Sequence, residues 1–338
     1  MSGGVDSSVA AFLLKKQGYE VEGVTLHMHG DGAARDEEND AAAAAEKIGI
    51  RNTLVNLEEP FQSIKDYFVS EYRKGRTPNP CVVCNPQIKW AALLDYAEKN
   101  GADAIATGHY SGLDLLENGR YALRVSDCPG KDQTYVLYRL TQEQLKKTVM
   151  PLGSYTKEEV RNIAREAGLA VSEKKDSQEI CFIPDHDYAG FIERRSGIRV
   201  PEGNFVDACG NVLGKHRGII HYTVGQRKGL GIAFGKPMFV SEIRAEQNEV
   251  VLASDEDLYT DRLIAENLCY MGVSQFLRSM KANAKIRYAH RAEKCSIIPI
   301  TENEAEVIFE RPVRAAAPGQ SVVFYDDSGY VMGGGFIQ

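Results

Sequence analysis

Apolar residues in "VDSSVAAFLLKKQ" (5–17) recur at helical spacing and stop at Gly18, which predicts an amphipathic helix closed by a glycine. "VEGVTLHM" (21–28) reads as a buried strand, the alanine-rich stretch 40–48 as a helix and "NTLVNLE" (52–58) as a strand. Residues 60–73 read as a helix, 75–87 as a Pro/Gly loop, 88–100 as a helix and "DAIATGH" (103–109) as a strand. Strands separated by helices on short connections indicate the α/β class, with a doubly wound parallel sheet. Beyond 110 the pattern changes. "LDLLENGRYALRV" predicts a hairpin turning at Asn118-Gly119, and Thr156 with Glu159 forms a capping box opening a helix that Gly168 closes. After about residue 200 short alternating runs dominate, which predicts a small β-rich domain and then a β-barrel.

The 338 residues suffice for two or three domains, and 43% hydrophobic with 26% charged content is ordinary for a globular chain. No apolar run reaches the length of a membrane span, so no membrane association is expected. Seven scattered cysteines, an odd number, point to a reducing, cytoplasmic setting rather than a disulfide framework. A net charge of −7 excludes a uniformly basic nucleic-acid surface. Local basic clusters nevertheless stand beside the motifs: Arg73, Lys74 and Arg76; Arg194, Arg195 and Arg199; Arg227 and Lys228; and the stretch 285–294.

"SGGVDSS" (2–8) is a glycine-rich loop running straight into the first helix. Gly3 and Gly4 permit a nest of backbone N–H groups, Ser2, Ser7 and Ser8 add hydroxyl donors, and the helix N-terminus adds its positive end. Such a loop suits a polyanion, and Asp6 within it fits a magnesium-linked or loop-fixing role. "NPCVVCNP" (79–86) sets two thiols three positions apart between prolines. On residue type alone this pair is a redox couple, part of a metal or iron–sulfur site, or a nucleophile with a neighbour.

The SGGxDSS pattern resembles the PP-loop of ATP pyrophosphatases. Seven motifs extend that likeness: "SGGVDSS", "GRTPNPC..CN", "ATGHY", "KDQTY", "KDSQEICFI", "YTVGQRKGLGI" and "PGQSVVFYDDSGYVMGGG". In this order, over nearly the whole chain, they resemble the tRNA-specific 2-thiouridylases of the MnmA type. The resemblance implies a Rossmann-like PP-loop domain over 1–184, a β-rich adaptor over 185–236 and a tRNA-binding barrel over 237–338. It implies adenylation of the C2 oxygen of a tRNA wobble uridine with ATP and Mg²⁺, then its replacement by sulfur. Ser2, Gly3, Gly4, Val5, Asp6, Ser7, Ser8, Leu26 and Gly108 fall at the family's ATP positions. Asn79, Pro80 and Cys81 match the segment that meets the target base; His109, Lys131, Asp132, Gln133, Arg287, Tyr288 and Gln320 match tRNA contacts. Cys84 matches the catalytic nucleophile and Cys181 the cysteine that carries a persulfide, with sulfur from a cysteine desulfurase relay or free sulfide.

Two departures qualify that reading. The family usually has Asp where Cys81 stands, and a thiol is a poor general base. Cys81, Cys84 and Cys181 together are the donor set of a 4Fe–4S cluster with one open iron, so cluster and persulfide routes both stay open. PP-loops also follow a β-strand, whereas Met1 abuts Ser2, so a strand is expected upstream of the given sequence. An amidating or ligating PP-loop enzyme and a non-catalytic RNA-binding protein are the alternative readings; neither requires the two matched cysteines.

Overall fold

In a computed structural model of the chain, all residues are described except 30–31, 175–179 and 233–234, with the side chains at 32–34 and 129 also outside the description. Most of "KDSQEICFI" therefore lies outside the described residues. Helix α1 (Val5–Lys16) leads to strand β1 (Gly23–His27), α2 (Gly32–Ile48), β2 (Asn52–Asn56) and α3 (Glu58–Arg73). β1 and β2 pair in parallel, Gly23 opposite Asn52, and β3 (Ile105–Ala106) pairs in parallel with a second short strand, Thr148–Val149. The expected alternation of strand and helix is present, as two parallel pairs rather than one continuous ladder. The strand expected over 103–109 pairs through only two residues, because its partner offers only two.

The expected loop 75–87 is the main correction in this half. Helix α4 (Pro80–Cys84) begins inside it and continues without a break through a π-helical turn, Asn85–Trp90, into α5 (Ala91–Asn100). The prolines that suggested a loop fit this helix for identifiable reasons. Pro80 occupies the first turn, where its missing N–H would have no partner, and the Asn79 side chain caps the helix by accepting from the Cys81 N–H at 3.2 Å. Pro86 falls in the widened π turn, where a proline ring meets less of the preceding turn's carbonyl row than in a regular α-helix. The hairpin 112–124 and the Thr156–Glu159 capping box form as predicted.

A four-stranded sheet follows, made from strands Gly203–Val206, Val212–His216, Phe239–Arg244 and Glu249–Ala253. Two of these strands lie beyond residue 236, so the expected boundary at 236/237 falls inside this unit. The strand Glu249–Ala253 is hydrogen-bonded to Gly203–Val206, which ties it to the central sheet and not to the barrel. Residues 259–337 form a closed six-stranded barrel in the order β4-β7-β6-β5-β8-β9, with β4 Tyr259–Tyr270, β5 Met280–Lys285, β6 Glu293–Pro299, β7 Glu304–Arg314, β8 Ser321–Tyr325 and β9 Val331–Ile337.

The three units share cores. One apolar cluster joins Phe61, Phe68 and Cys84 of the first unit to Phe205, Ile220 and Val240 of the central one. Another joins Val82, Trp90, Tyr135 and Tyr138 to Val323, Tyr325 and Val331 of the barrel. The seam is polar as well as apolar: the buried Tyr135 hydroxyl donates to the Ser321 carbonyl at 2.9 Å and accepts from the Ser321 N–H at 3.2 Å. Tyr135→Phe removes that hydroxyl and should cost about 2 kcal/mol, the usual penalty for stranding buried polar partners. Urea unfolding of variant and parent, compared at equal slope, checks this value.

Candidate active site

The glycine-rich loop and the start of α1 build the first half of the site. Gly3 takes a left-handed φ of +65° and Gly4 caps the helix in an extended conformation. The Ser2 N–H donates to Ser7 Oγ at 3.1 Å, and Ser7 and Ser8 hydroxyls both donate to the Gly4 carbonyl, at 3.3 and 2.9 Å. The loop is thus closed by its own serines. Asp6 is held from outside: Lys157 Nζ lies 2.8 Å from both carboxylate oxygens, and the Tyr110 hydroxyl donates to Oδ1 at 2.8 Å. Of the two roles open to Asp6, this geometry favours fixing the loop. Lys174 donates to the Gly3 carbonyl at 3.2 Å and to Asp40 at 2.7 Å. Two ammonium groups therefore flank the loop, a fitting environment for a polyanion.

Gly108 joins this half to the next. A Cβ there would sit 2.6 Å from the Ser7 nitrogen, so only glycine lets the end of β3 meet the loop this closely. The adjacent His109 has Nδ1 at 3.0 Å from Thr107 Oγ1, and its ring lies 5.5 Å from that of Trp90. Burial and the Lys89 ammonium push the His109 imidazole down to about 3, so it is neutral at physiological pH. Leu26, on β1, packs against the core cluster that contains Cys84.

The thiols make the second half. Cys84 is buried on the helix, Cys81 is partly buried one turn earlier, and Cys181 is exposed; all three are free. Burial pushes the Cys84 thiol up to about 12, with Cys181 and Cys81 adding to the rise and Lys89 opposing it. Surrounding protein raises Cys181 to about 11, although water reaching its open side limits that rise. Lys89 lies one residue before the end of the π turn, five positions beyond Cys84. Burial alone would lower its ammonium, but Cys84, Cys81 and Cys181 outweigh that and raise it. The wider π turn brings residues five apart closer to one face than an α-helix does. Lys89 therefore interacts electrostatically with all three thiols. Among the described residues, no group of three His, Cys, Asp or Glu side chains is arranged to hold a metal ion.

The expected RNA contacts divide. Tyr288 is exposed on the barrel, its ring edge-on to Tyr135 at 6.3 Å. Arg287 donates to the Arg314 carbonyl at 2.9 Å. Gln133 accepts from the Tyr110 N–H at 2.9 Å, beside His109. Asp132 is buried, accepting from the Thr134 hydroxyl at 2.8 Å with Lys285 at 3.5 Å, a structural placement that shields it from any ligand. Lys131, beside it, keeps part of its surface open. The Gln320 amide donates to the Thr77 carbonyl at 2.8 Å. In the basic clusters, Arg194 pairs with Asp187 and Arg195 with Asp66. Lys89, Tyr110, Lys157 and Lys174 escaped the sequence reading. Tyr110 and Lys157 directly follow a motif histidine and a capping threonine, the only local signals they carry.

Comparison with known proteins matches three family models in sequence: a tRNA methyl transferase HUP domain over residues 1–185, a tRNA methyl transferase PRC-barrel domain over 189–254 and an aminomethyltransferase beta-barrel domain over 260–337. A tRNA-specific 2-thiouridylase MnmA of Lachnoclostridium phytofermentans is 54% identical, the match covering 100% of this chain and 98% of that protein. Its counterpart in Clostridium acetobutylicum is 51% identical over the same shares. Among solved structures, the U34-tRNA thiolase NcsA from Methanococcus maripaludis with its [4Fe-4S] cluster aligns at 20% identity and a TM-score of 0.36, covering 58% of this chain and 64% of that one.

Two outcomes follow from the electrostatics. Cys84 should be alkylated by iodoacetamide at pH 8 at least about 100-fold more slowly than the exposed Cys209, since only its thiolate reacts. Lys89→Met should slow it further, and peptide mass spectrometry reads both rates. For His109, the unfolded chain binds a proton below about 6.5, whereas the folded imidazole resists it down to about 3. Stability therefore falls as pH drops through that window. His109→Gln should lose less stability than the parent between pH 6.5 and pH 4, as judged by urea midpoints.

Proposed function

The chain belongs to the tRNA-specific 2-thiouridylase family, and from that premise we propose that it is an ATP-dependent tRNA-uridine 2-sulfurtransferase. The observation that carries this reading is the Gly108–His109 junction: Gly108 meets the anion-binding loop, and the His109 ring lies 5.5 Å from that of Trp90, on the helix that carries Cys81 and Cys84. Activation and displacement by sulfur call for those two halves side by side. An amidating PP-loop enzyme has no use for the second half.

The loop Ser2–Ser8 holds the β- and γ-phosphates through its N–H groups and the positive end of α1, while Lys157 and Lys174 offset the carboxylates of Asp6 and Asp40 beside it. Magnesium bound with the triphosphate would offset part of its charge. The C2 oxygen of uridine attacks the α-phosphorus, and pyrophosphate leaves with the bonding electron pair. His109, neutral in its buried position, is a hydrogen-bonding neighbour for the base rather than a counter-charge. Tyr288 offers an exposed aromatic face to the RNA.

Sulfur then arrives as a persulfide on Cys181, whose exposure lets the persulfide of a donor protein reach it: the Cys181 thiolate takes the outer sulfur and the donor's cysteine leaves as a thiolate. Its terminal sulfur bonds to C2 while AMP leaves with the C–O electron pair. Cys84 then attacks the Cys181 sulfur, forming a Cys84–Cys181 disulfide and releasing 2-thiouridine; a dithiol reductant restores both thiols. A buried thiol near 12 needs help to ionise, and Lys89 is the cation placed to provide it. All seven cysteines are free thiols, in keeping with a reducing cytoplasm.

A second reading is favoured by Cys81, which interacts with both other thiols and replaces the family's carboxylate. In it the three cysteines hold a 4Fe–4S cluster. Three thiols are the right donors, but they are not gathered as ligands of a metal ion, so no step is derived through a cluster. Anaerobic purification with iron and sulfide assays separates the two: the persulfide route requires an active, iron-free protein.

Nucleoside mass spectrometry of tRNA from cells lacking the protein tests the function directly, with loss of 2-thiouridine expected. In vitro, Asp6→Ala should abolish tRNA-dependent pyrophosphate release while leaving tRNA affinity within about twofold, since the barrel is untouched. Pyrophosphate assays and gel shifts run in parallel check this. Undiminished pyrophosphate release would remove the loop from the reaction.

A further inference from the structure

The segment leading into the thiol helix is held by the barrel, across 243 positions of sequence. Both backbone groups of Thr77 are engaged. Its N–H donates to the Pro318 carbonyl at 2.7 Å, and its carbonyl accepts from Gln320 Nε2 at 2.8 Å. One residue earlier, Arg76 Nη2 lies 2.6 Å from Glu266 on β4, while its Nε lies 2.8 Å from Glu71 on α3. The barrel side of this contact is itself fixed. Gly319 N–H donates to the Ile337 carbonyl at 2.9 Å, and Ile337 N–H returns to the Gln320 carbonyl at 2.8 Å. These bonds tie residues 317–320 to the last barrel strand.

What lies between Thr77 and the thiols is stiff. Pro78 and Pro80 flank Asn79, locking two φ angles and pushing the residues before them to extended conformations. Asn79 then caps the helix that carries Cys81 and Cys84. With so few soft torsions in the segment, a displacement at Thr77 is carried to the helix start rather than absorbed.

We propose that Gln320 is a positioning residue for sulfur transfer: its amide, with the Arg76–Glu266 pair, holds Thr77 so that the barrel sets where the thiol helix begins. This rests on the sulfurtransferase reading for its catalytic consequence. It differs from a direct RNA contact for Gln320, because the donor half of the amide is bonded within the protein. The barrel that binds RNA and the helix that delivers sulfur then move as one body.

The test uses the full-length protein with Gln320→Ala, and with Gln320→Glu, which keeps the shape but places an acceptor against the Thr77 carbonyl. Three quantities are read: tRNA affinity by filter binding, kcat for thiolation, and the iodoacetamide labelling rate of Cys84. Both variants should keep tRNA affinity within about twofold, lose about tenfold or more in kcat, as small misplacements of reacting groups do, and label Cys84 faster as the helix start loosens. Glu266→Gln, which weakens the clamp from the barrel side and touches neither ATP nor thiols, should shift kcat and labelling the same way by a smaller factor. A tenfold loss of affinity with unchanged labelling would make Gln320 an RNA contact and overturn the proposal. So would variants indistinguishable from the parent. If the parent itself thiolates no tRNA, the sulfurtransferase reading fails, while the labelling rates still judge the clamp.

Discussion

The helix from Pro80 to Asn100 is wedged between two apolar cores, and the placement of Cys81, Cys84 and Lys89 depends on that wedge. Val82 and Trp90 face the cluster shared with the barrel; Cys84 and Ile88 face the cluster shared with the central unit. Trp90 is pinned by its indole N–H, which donates to Thr148 Oγ1 at 2.9 Å. A regular α-helix would set positions 84 and 89 further apart around its axis, and the π turn reduces that separation while Val82, Trp90, Cys84 and Ile88 stay in their cores. Packing of this kind fixes position more tightly than loop contacts do, since apolar interiors are close-packed and yield little.

Charge in the site is arranged by exclusion of water. The same burial that holds the Cys84 thiol protonated also holds His109 neutral, and it makes the Lys89 field strong where it acts. The phosphate end is organised differently. Asp6 carries its neutralising Lys157 with it, so the loop meets an incoming polyanion without a bare carboxylate in the way. One half of the site thus pairs a buried thiol held protonated with an exposed one, and the other is partly open and already charge-balanced.

Local rules made part of this legible. Glycine placement and the run of serines identified the loop at 2–8, Thr156 with Glu159 announced a helix start, and Asn118-Gly119 announced a hairpin. The thiol segment was misread because two prolines within eight residues usually mean a loop; the first-turn position and the π turn that admit them are set by packing, not by local preference. Lys157 and Lys174 were invisible because their partners lie 151 and 171 positions away. Asp132 shows the converse: a motif position was identified, but burial behind Thr134 and Lys285 depends on the barrel's arrival. Likewise the central sheet recruits strands beyond residue 236, a pairing no local pattern specifies.

The closed barrel carries one more consequence. Because its six strands form an unbroken ring, their backbone donors and acceptors are committed to one another along the wall. A nucleic acid lying against it finds no row of amides to pair with, as it would along an open sheet. Any discrimination this unit makes must then come from side chains and from the loops at the rim, elements that can change residue by residue without disturbing the wall. The barrel is a surface whose selectivity can drift while the fold beneath stays the same.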